Sequence, residues 1–415
     1  MRFLAGVVGD SHFNRRSRWD ECLRLHQWIS DDMTARGIDV AAHAGDVFHA
    51  ESTPPERLAV RDWLVGLATR RPVILVAGNH DEHGDLALFA SLRAEHPIVV
   101  EERTGMHTVG RLGVAACAWP RKAALAAQAE LLSGKRTDLR DEAIVARDHL
   151  RAVFTALGAQ LAQHDGPRML LAHAMVRKSL TSAGQPLVGC DMEIDLADLA
   201  LCHGADITVL GHIHRGQDWP GVVYTGSPRR TAHGETEDKG YVVVEWERED
   251  LDGTIVDYNR SAPRGGWRLV GWERVIAPAR KMVLHERIFA PDDAGPGWLG
   301  DASCASCEGL EGAEVRFRYT VDSEHRAAGK RAAGEVEAEM LGAGGAFSVQ
   351  TEQVLRPTTR ARAPEVASAT SMADKMRAVW KARGVELDPE RSARLLDRVT
   401  ALESDAARSM HPVAS

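Results

Sequence analysis

The sequence predicts a layered α/β core followed by smaller units, and three observations lead to this prediction. From Arg2 to about Trp246, short apolar runs alternate with longer segments of helical spacing, a pattern typical of sheets covered by helices. Five of the apolar runs end in polar clusters. The chain has 415 residues, of which 44% are hydrophobic, so it is long enough for more than one folded unit.

The first predicted unit spans residues 1–275. Its strands are expected at the apolar runs, which lie at residues 3–8, 40–44, 73–77, 169–172 and 207–210. Helical spacing predicts helices over residues 19–36 and 56–70, and a less regular helical stretch over residues 123–163. A late strand over residues 267–275 is expected to close the unit after the polar, turn-rich residues 250–266.

Three further segments are predicted after residue 275. Residues 276–355 have the pattern of a small α+β domain, with strands at 281–289, 314–321 and 347–354 and a helix at 324–340. Residues 356–371 contain two prolines and no apolar period, which is typical of a linker. Residues 372–415 are expected to form two short amphipathic helices, with Gly384 ending the first and Asp388 capping the second before Pro389. These helices either fold back on the chain or dock on a partner.

Composition and charge exclude several classes of protein. The formal net charge of -8 argues against a protein that coats nucleic acid through bulk positive charge, so any contact with nucleic acid has to be local. The apolar runs are strand-sized, whereas a membrane-spanning helix needs about 20 apolar residues. The amino-terminal residues lead into a strand without the pattern of a signal peptide. We therefore expect a cytoplasmic protein that does not enter membranes.

The cysteines are scattered through the chain, which favours reduced thiols over a disulfide framework. Only Cys304 and Cys307 form a CxxC pair. A structural zinc site needs further ligands at similar spacing, and the neighbouring sequence offers none that is obvious. We therefore favour loop cysteines over a zinc site.

The polar clusters at the strand ends contain the candidate functional residues. Because ligand sites of α/β sheets lie beyond the carboxyl ends of the strands, these clusters are expected to converge. They offer two carboxylates, one amide and four imidazoles: Asp10, His12, Asp46, Asn79, His173, His212 and His214. Mixed nitrogen and oxygen donors suit Mn, Fe or Zn better than Ca or Mg. Seven ligands divide naturally between two ions about 3.5–4 Å apart, which can activate a water and hold a phosphate.

Isolated histidines are weaker candidates. A lone imidazole lies more often at the surface or in a satisfied core than in a metal site, so we assign no role to His43, His164 or His203. Five clusters in order, each at a strand end, are a much stronger signal. A glycine precedes the polar residues in four of the clusters, which favours tight backbone turns there.

Together the clusters resemble a known family. They read Gly9-Asp10-Ser11-His12, Gly45-Asp46-Val47-Phe48-His49, Gly78-Asn79-His80-Asp81, Ala172-His173 and Gly211-His212-Ile213-His214. This set resembles the calcineurin-like metallophosphoesterase superfamily, and within it the SbcD-type nuclease subunits of DNA double-strand-break repair complexes. The narrower likeness depends on His49, on Asp81 and on the later run Tyr224-Thr225-Gly226-Ser227-Pro228, Gly234-Glu235 and Lys239-Gly240. It covers roughly residues 1–246.

The resemblance implies a metallophosphoesterase β-sandwich core flanked by helices, a small α+β DNA-capping domain at 276–355 and a C-terminal helical tail at 372–415. It implies one metal ion held by Asp10, His12 and His214, a second held by Asn79, His173 and His212, and Asp46 bridging the two. By the same resemblance, His80 acts on the leaving group or the phosphate, and His49 helps to position the DNA phosphate. The implied metal is Mn²⁺, with Mg²⁺, Fe²⁺ or Zn²⁺ as alternatives.

These features lead to a manganese-dependent DNA nuclease as the first hypothesis. The resemblance implies that such a chain forms a homodimer and works with an SbcC-like coiled-coil ATPase, and we expect local contacts to DNA from Arg215, Arg229 and Arg230. A phosphodiesterase for a small nucleotide or another phosphodiester is the alternative, although such an enzyme needs neither cap nor partner helices. A non-catalytic scaffold that binds DNA ends is a third hypothesis, and the intact set of donors argues against it.

Overall fold

The computed structural model describes residues 1–82, 84–134, 142–183, 185, 192–248, 266–289, 308–356 and 364–410. The chain separates into two compact units. The first comprises Met1–Arg287, Asp301–Arg318 and Ala333–Glu352, and the second comprises Ile288–Gly300, Tyr319–Ala332 and Gln353–Ser415. The domain boundaries expected at residues 275, 355 and 371 stay predictions. The CxxC pair Cys304 and Cys307 lies outside the described residues.

The strands of the first part of the chain are β1 (Arg2–Val8), β2 (Val40–His43), β3 (Val73–Val76), β4 (Ile98–Glu101), β5 (Thr104–Val109), β6 (Leu112–Cys117), β7 (Arg168–His173), β8 (Met175–Val176), β9 (Glu193–Ile194), β10 (Ile207–Gly211), β11 (Asp218–Trp219), β12 (Val222–Tyr224), β13 (Gly240–Arg248) and β14 (Trp267–Ile276). Its α-helices are α1 (Trp19–Ala35), α2 (Pro54–Ala68), α3 (Lys122–Ser133), α4 (Glu142–Leu161) and α5 (Leu196–Leu199), and a 3-10 helix covers Ala87–Ser91. All five strands predicted next to the polar clusters are confirmed. Strands β4 and β5 were not predicted: their side chains are mostly half-buried, the apolar run of β4 has only three residues, and β5 has none.

Two six-stranded sheets form the centre of the first unit. Their strand orders are β14-β13-β1-β2-β3-β4 and β11-β12-β10-β7-β6-β5. Strands β1 to β4 are parallel, and so are β6, β7, β10 and β12. In the first sheet, β13 pairs antiparallel with both β1 and the edge strand β14. In the second sheet, the edge strands β5 and β11 pair antiparallel with β6 and β12. The predicted late strand is therefore confirmed as β14, which pairs with β13.

The two sheets pack face to face, and the alternation of side chains along each strand explains why. On β1, Phe3, Ala5 and Val7 belong to the buried cluster shared with the second sheet, whereas Leu4 and Val8 belong to the cluster that includes α1 and α2 residues. Successive strand residues point to opposite faces of a sheet, so each sheet is apolar on both sides. A third buried cluster joins the second sheet to α3 and α4. The predicted sandwich flanked by helices is confirmed.

Local sequence signals explain where helices α1 and α2 begin and which side of α1 is buried. Helix α2 begins after Thr53, whose side chain forms a capping box with Glu56, and Pro54 occupies a first-turn position. Helix α1 buries Cys22, His26 and Ile29 on one side, which is the helical spacing that the sequence predicts. Arg18, directly before α1, has a left-handed backbone with φ of 49°.

The later elements are β15 (Met282–Ile288), β16 (Glu314–Asp322), a 3-10 helix (Ser323–His325), α6 (Arg326–Gly342), β17 (Ser348–Arg356), α7 (Pro364–Ser368), α8 (Met372–Arg383) and α9 (Pro389–Met410). Strands β15, β16 and β17 form a three-stranded sheet in that order. Helix α7 lies inside the predicted linker, so this part of the linker is helical; Pro364 supplies a favourable first residue. Gly384 ends α8 with φ of 62°, as predicted. Within the described part of the chain, no helix combines the length and apolar character required to cross a membrane.

Candidate metal centre

The polar clusters lie at the carboxyl ends of five strands that belong to two sheets. Parallel strands β1, β2 and β3 are neighbours in the first sheet, and β7 and β10 are neighbours in the second. Asp10, Asp46 and Asn79 follow the first three strands, whereas His173 ends β7 and His212 follows β10. Because the sheets pack face to face, their strand ends open into one place, and the predicted donors converge there.

Tight loops hold the donors in uncommon backbone conformations. Asp10, His12, Asp46 and His212 have positive φ angles of 52°, 45°, 56° and 101°. Such conformations cost about 1–3 kcal/mol each and persist only where the surroundings hold them. Backbone hydrogen bonds supply part of this restraint, because the amides of Asp10 and His12 donate to the carbonyls of Gly45 and Asp46, each at 3.0 Å.

Two glycines are required for the close approach of these loops. Gly45 has φ of 94°, and a side chain there would collide with the ring of His173. A side chain at Gly78 would collide with the carboxylate and amide of Asp46. Both glycines precede a predicted donor, so their presence lets backbone pack directly against neighbouring donor side chains.

The first donor group consists of Asp10, His12 and His214, all buried. One potential ligand atom from each lies within 4.8 Å of the others. The Nε2 atoms of His12 and His214 are 2.9 Å apart. One carboxylate oxygen of Asp10 accepts the amide of His212 at 2.9 Å, which ties this group to the strand-end loop of the second group.

The second donor group consists of Asp46, His173 and His212, and their potential ligand atoms also lie within 4.8 Å of one another. Asn79 joins it, since its Oδ1 lies 3.0 Å from His173 Nε2 and 2.9 Å from His212 Nδ1. His173 Nδ1 donates to the carbonyl of Ala44 at 2.7 Å. That bond holds the ring with Nε2 facing the other donors of the group, which is how metal-binding histidines are commonly oriented.

Asp46 lies between the two groups. Its Oδ2 atom is 3.7 Å from His12 Nε2 and 3.4 Å from His173 Nε2. Its Oδ1 atom accepts the amide of His80 at 2.9 Å. A single carboxylate therefore faces donors of both groups, which is the arrangement that a bridging ligand needs.

Charge and burial act against each other in this site. Burial alone would raise the pKa of Asp46, but the nearby His173 and His12 hold it well below its usual range. Burial opposes protonation of His173, yet the facing Asp46 raises its pKa to about 9. Burial lowers the pKa of His212 and of His214 to about 3, so both rings are neutral near pH 7 and can donate a lone pair.

Unpartnered buried atoms show that the donor set fits a cation. Asp10 Oδ2, His12 Nδ1 and His212 Nε2 are buried and have no hydrogen-bond partner among the residues that the structure describes. A buried polar atom normally has one. An anionic oxygen and imidazole nitrogens concentrated in one cavity are the donors expected around Mn, Fe or Zn ions, so these residues fit a divalent metal centre.

His80 and His49 lie beside the donor groups, nearer to solvent. Their rings stack at 5.5 Å with an interplanar angle of 17°, and each has a ligand atom within 4.8 Å of one from His12. His80 Nδ1 is 2.7 Å from the carbonyl oxygen of His49. Because a carbonyl can only accept, Nδ1 carries a proton, and Nε2 remains for another partner.

A cavity of about 150 Å³ joins these residues. Its lining includes both histidines, Asp46, Asn79 and His212. Gln185, Thr231 and Ala232 also line it, and sequence analysis assigned no role to these three. Gln185 donates to the carbonyl of His212 at 2.7 Å and accepts the amide of His214 at 3.2 Å, so it spans the last cluster.

The later motif run supports the wall of this cavity. Glu235 Oε1 accepts from the backbone and hydroxyl of Thr231 and from the amide of Ala232, at 2.9–3.2 Å. The buried Lys239 ammonium pairs with Glu235 at 2.5 Å and donates to the carbonyl of His214 at 3.2 Å. Glu235 thus holds the cavity wall in place, and Lys239 holds the backbone of His214, which is one of the candidate metal donors. No pattern in the sequence specifies these roles.

Asp81 and Trp119 support the site from behind. Asp81 accepts the amides of Phe48 and Gly78 at 2.9 Å each, which ties the second cluster to the third. The ring of Trp119 lies 4.7 Å from His212 and 5.8 Å from His173. Trp119 follows β6, a strand that ends without a cluster of metal-binding residue types, so sequence analysis missed it.

The candidate substrate-binding arginines lie in different environments. Arg215 is exposed. Arg229 is only 2% exposed, and its guanidinium donates to the carbonyl of His12 at 2.7 Å. Arg230 is also buried and donates to backbone carbonyls, including that of Glu235 at 2.9 Å. Buried guanidinium groups that bind the chain itself cannot reach DNA in this conformation, so Arg229 and Arg230 are better explained as loop supports.

Comparison with known proteins identifies the family. The sequence profile described as calcineurin-like phosphoesterase matches residues 3–216. The chain belongs to this family. Membership of this family, together with the donor set, identifies the chain as a metal-dependent phosphoester hydrolase. No curated protein sequence matches the chain.

Several solved structures are similar to this phosphoesterase. The anchor GAP50 of the Plasmodium inner membrane complex has 10% identity and a TM-score of 0.39, covering 59% of this chain and 81% of its own. A dimetal phosphatase from Danio rerio has 10% identity and a TM-score of 0.35, covering 58% and 92%. The protein TT1561 of Thermus thermophilus has 13% identity and a TM-score of 0.35, covering 55% and 90%.

Proposed function

We propose that the chain is a manganese-dependent DNA nuclease that hydrolyses phosphodiester bonds at DNA ends or hairpins. One observation supports this most directly. Two groups of metal donors face the same carboxylate, Asp46, while His80 and His49 lie beside them at the exposed side of the cavity. Two divalent ions bound there would supply an activated water and offset the charge that develops on a phosphodiester.

The side chains of the cavity support the remaining chemistry. His80 has its Nδ1 proton held by the carbonyl of His49, so Nε2 is available to a substrate oxygen. When that ring is protonated, Nε2 can donate a proton to the leaving oxygen, which is a role typical of histidine. The stacked ring of His49 restricts how His80 can turn, and this supports the positioning role implied for His49.

The cavity holds only the reacting group of a substrate. Sites that enclose small ligands usually have volumes of about 300–1,000 Å³, whereas this cavity has about 150 Å³, so a phosphate with its adjoining oxygens fits and the rest of the substrate lies outside. DNA is proposed over a small nucleotide because a small-nucleotide phosphodiesterase needs neither the expected cap nor the C-terminal helices.

The C-terminal helices support the proposal of a partner. On α9, Leu395 and Leu402 are 37% and 62% exposed, and Met372 at the start of α8 is 51% exposed. Apolar side chains on one face of an exposed helix are typical of a helix that docks on a partner. We propose an SbcC-like coiled-coil ATPase as this partner, and a homodimer of the chain as the nuclease unit.

Cleavage assays test the nuclease. The purified chain is incubated with Mn²⁺ and linear duplex, hairpin DNA or a cyclic nucleotide. We expect cutting of DNA, loss of cutting in Asp46→Ala and His80→Ala, and wild-type cutting in the control Asp62→Asn, because Asp62 is an exposed residue that pairs with neighbouring Arg61. Turnover of the cyclic nucleotide without DNA cleavage would contradict the proposal and favour a small-nucleotide phosphodiesterase.

Co-purification tests the partner. The full chain is expressed with the coiled-coil ATPase, and we expect a stable complex that Leu402→Asp weakens. Leu131→Asp on α3 is a matched control, since Leu131 is 84% exposed and lies outside the C-terminal helices. Equal effects of the two substitutions would contradict docking through α9. Sedimentation equilibrium of the chain alone tests the homodimer.

A further inference from the structure

A buried network of hydrogen bonds joins Ser11, His26 and His43, next to the loops that carry the candidate metal donors. Ser11 Oγ is 2.8 Å from His43 Nε2 and 2.8 Å from His26 Nε2. His26 Nδ1 is 2.7 Å from the carbonyl oxygen of Cys22, and the amide of Gly45 donates to His43 Nδ1 at 3.2 Å. Sequence analysis assigned no role to His43, and the chemistry of the proposed nuclease does not use these three side chains.

The hydrogen-bond partners determine which nitrogen of His26 and of His43 carries a proton and where the hydroxyl of Ser11 points. The amide of Gly45 donates to His43 Nδ1, so the proton of His43 is on Nε2 and points at Ser11. The carbonyl of Cys22 can only accept, so the proton of His26 is on Nδ1 and its Nε2 accepts from the Ser11 hydroxyl. The Gly45 amide at one end of the network and the Cys22 carbonyl at the other therefore require the same donor direction. His43 donates to Ser11, Ser11 donates to His26, and His26 donates to the backbone of α1.

Aromatic rings exclude water from this network. Trp63 of α2 lies 4.9 Å from the ring of His26 and 5.9 Å from that of His43, and Phe13 lies 4.3 Å from His26. Ser11, His26 and His43 are each at most 2% exposed. Burial lowers the pKa of His26 to about 4 and that of His43 to about 3, so both rings are neutral near pH 7, as the proton assignment requires.

The position of Ser11 connects this hydrogen-bond network to the candidate metal donors. Ser11 lies between Asp10 and His12, two donors of the first group, and both of these neighbours have positive φ angles. His43 contacts the backbone of Gly45, which precedes Asp46. Hydrogen bonds to a buried hydroxyl and to a buried amide therefore restrain both loops that carry these three donors, in conformations that need restraint.

We propose that Ser11, His26 and His43 are positioning residues for the metal centre, which connect the loops of Asp10, His12 and Asp46 to helix α1. This inference rests on the metal centre of the proposed function. Groups that orient metal ligands without touching the ion typically change metal affinity by about 10- to 100-fold when they are removed. The three residues act as one unit, because each hydrogen bond determines the proton position of the next.

Metal binding measured by calorimetry tests this inference in the full chain. Ser11→Ala removes the shared hydroxyl, and His26→Leu removes its acceptor at similar volume. We expect each to weaken Mn²⁺ binding about tenfold at a temperature where the variants are folded, and the double variant to lose little more than either single one. His26→Gln offers an amide oxygen to the Ser11 hydroxyl, so we expect it to restore most of the affinity lost in His26→Leu.

Tyr241→Phe is the matched control. The Tyr241 hydroxyl is buried and donates to Asp32 on the same helix α1 at 2.6 Å, away from Ser11. We expect it to lower the melting temperature without changing Mn²⁺ affinity. Wild-type affinity in Ser11→Ala and His26→Leu, or an equal loss in Tyr241→Phe, would overturn the inference while leaving the proposed function intact. Absence of Mn²⁺ binding by the wild-type chain would overturn the proposed function, and the inference with it.

Discussion

The Asp46 carboxylate and the His173 imidazole face each other at 3.4 Å in the buried centre of the site. The same carboxylate oxygen is 3.7 Å from His12 in the other donor group. Asp46 is thus the side chain that both groups share, and it belongs to the loop after β2, a strand of the first sheet, whereas His173 ends a strand of the second.

Asp46→Asn should therefore impair both groups at once. The amide keeps an oxygen for the backbone of His80 but removes the charge, so we expect Mn²⁺ affinity to fall at least about 100-fold, more than for residues that only orient ligands. Calorimetry with Mn²⁺ measures the loss, and Asp62→Asn is the exposed control. Retention of two tightly bound ions in Asp46→Asn would contradict the bridging role.

His80→Gln should impair chemistry more than metal binding. Removing a general acid typically lowers kcat by about 100- to 10,000-fold. If His80 protonates the leaving oxygen, the defect should be large with DNA and much smaller with bis(p-nitrophenyl) phosphate, whose leaving group needs no proton. Steady-state kinetics on both substrates measures this difference. His49→Gln is the comparison, and we expect it to raise KM more than it lowers kcat; equal defects on both substrates would argue against proton donation by His80.

Arg229→Met and Arg215→Ala should separate stability from substrate binding. Arg229 is buried and donates to the carbonyl of His12, and leaving that acceptor unpaired should cost about 1–3 kcal/mol of unfolding free energy. Arg215 is exposed, so its removal should leave the melting temperature near that of the wild type and raise KM for DNA. Thermal unfolding and DNA cleavage kinetics measure both effects. A wild-type melting temperature for Arg229→Met would contradict its supporting role.

His26 should make the protein sensitive to acid. Burial lowers its pKa in the folded protein to about 4, below the value of about 6.5 expected in the unfolded chain. The unfolded chain therefore binds more protons between these two pH values. The contribution of His26 to the free energy of unfolding is fully present above about pH 6.5, and it falls by up to about 1.4 kcal/mol per pH unit toward pH 4. We expect His26→Gln to flatten this decline in melting temperature, and the exposed control His203→Gln to leave it unchanged. An unaltered decline in His26→Gln would show that other groups cause it.

The sequence by itself determined the strands next to the site and the chemical types of the donors. Apolar runs followed by Gly-Asp, Gly-Asn or Gly-His are local patterns, and they specify strand ends, tight turns and metal-binding side chains without any knowledge of distant contacts. The same local reasoning predicted where α8 ends, at Gly384, because that residue adopts a left-handed conformation at little cost.

Only the tertiary structure decided which side chains support the donors. His43 and Arg229 resemble an isolated core histidine and a substrate-binding arginine in sequence, yet one binds the buried Ser11 and the other the carbonyl of His12. Ser11 and His43 are 32 positions apart, and His12 and Arg229 are 217 apart. Such contacts depend on how two sheets and their helices pack, which has no local periodicity, so the sequence alone specified the candidate metal donors but not the network that holds them.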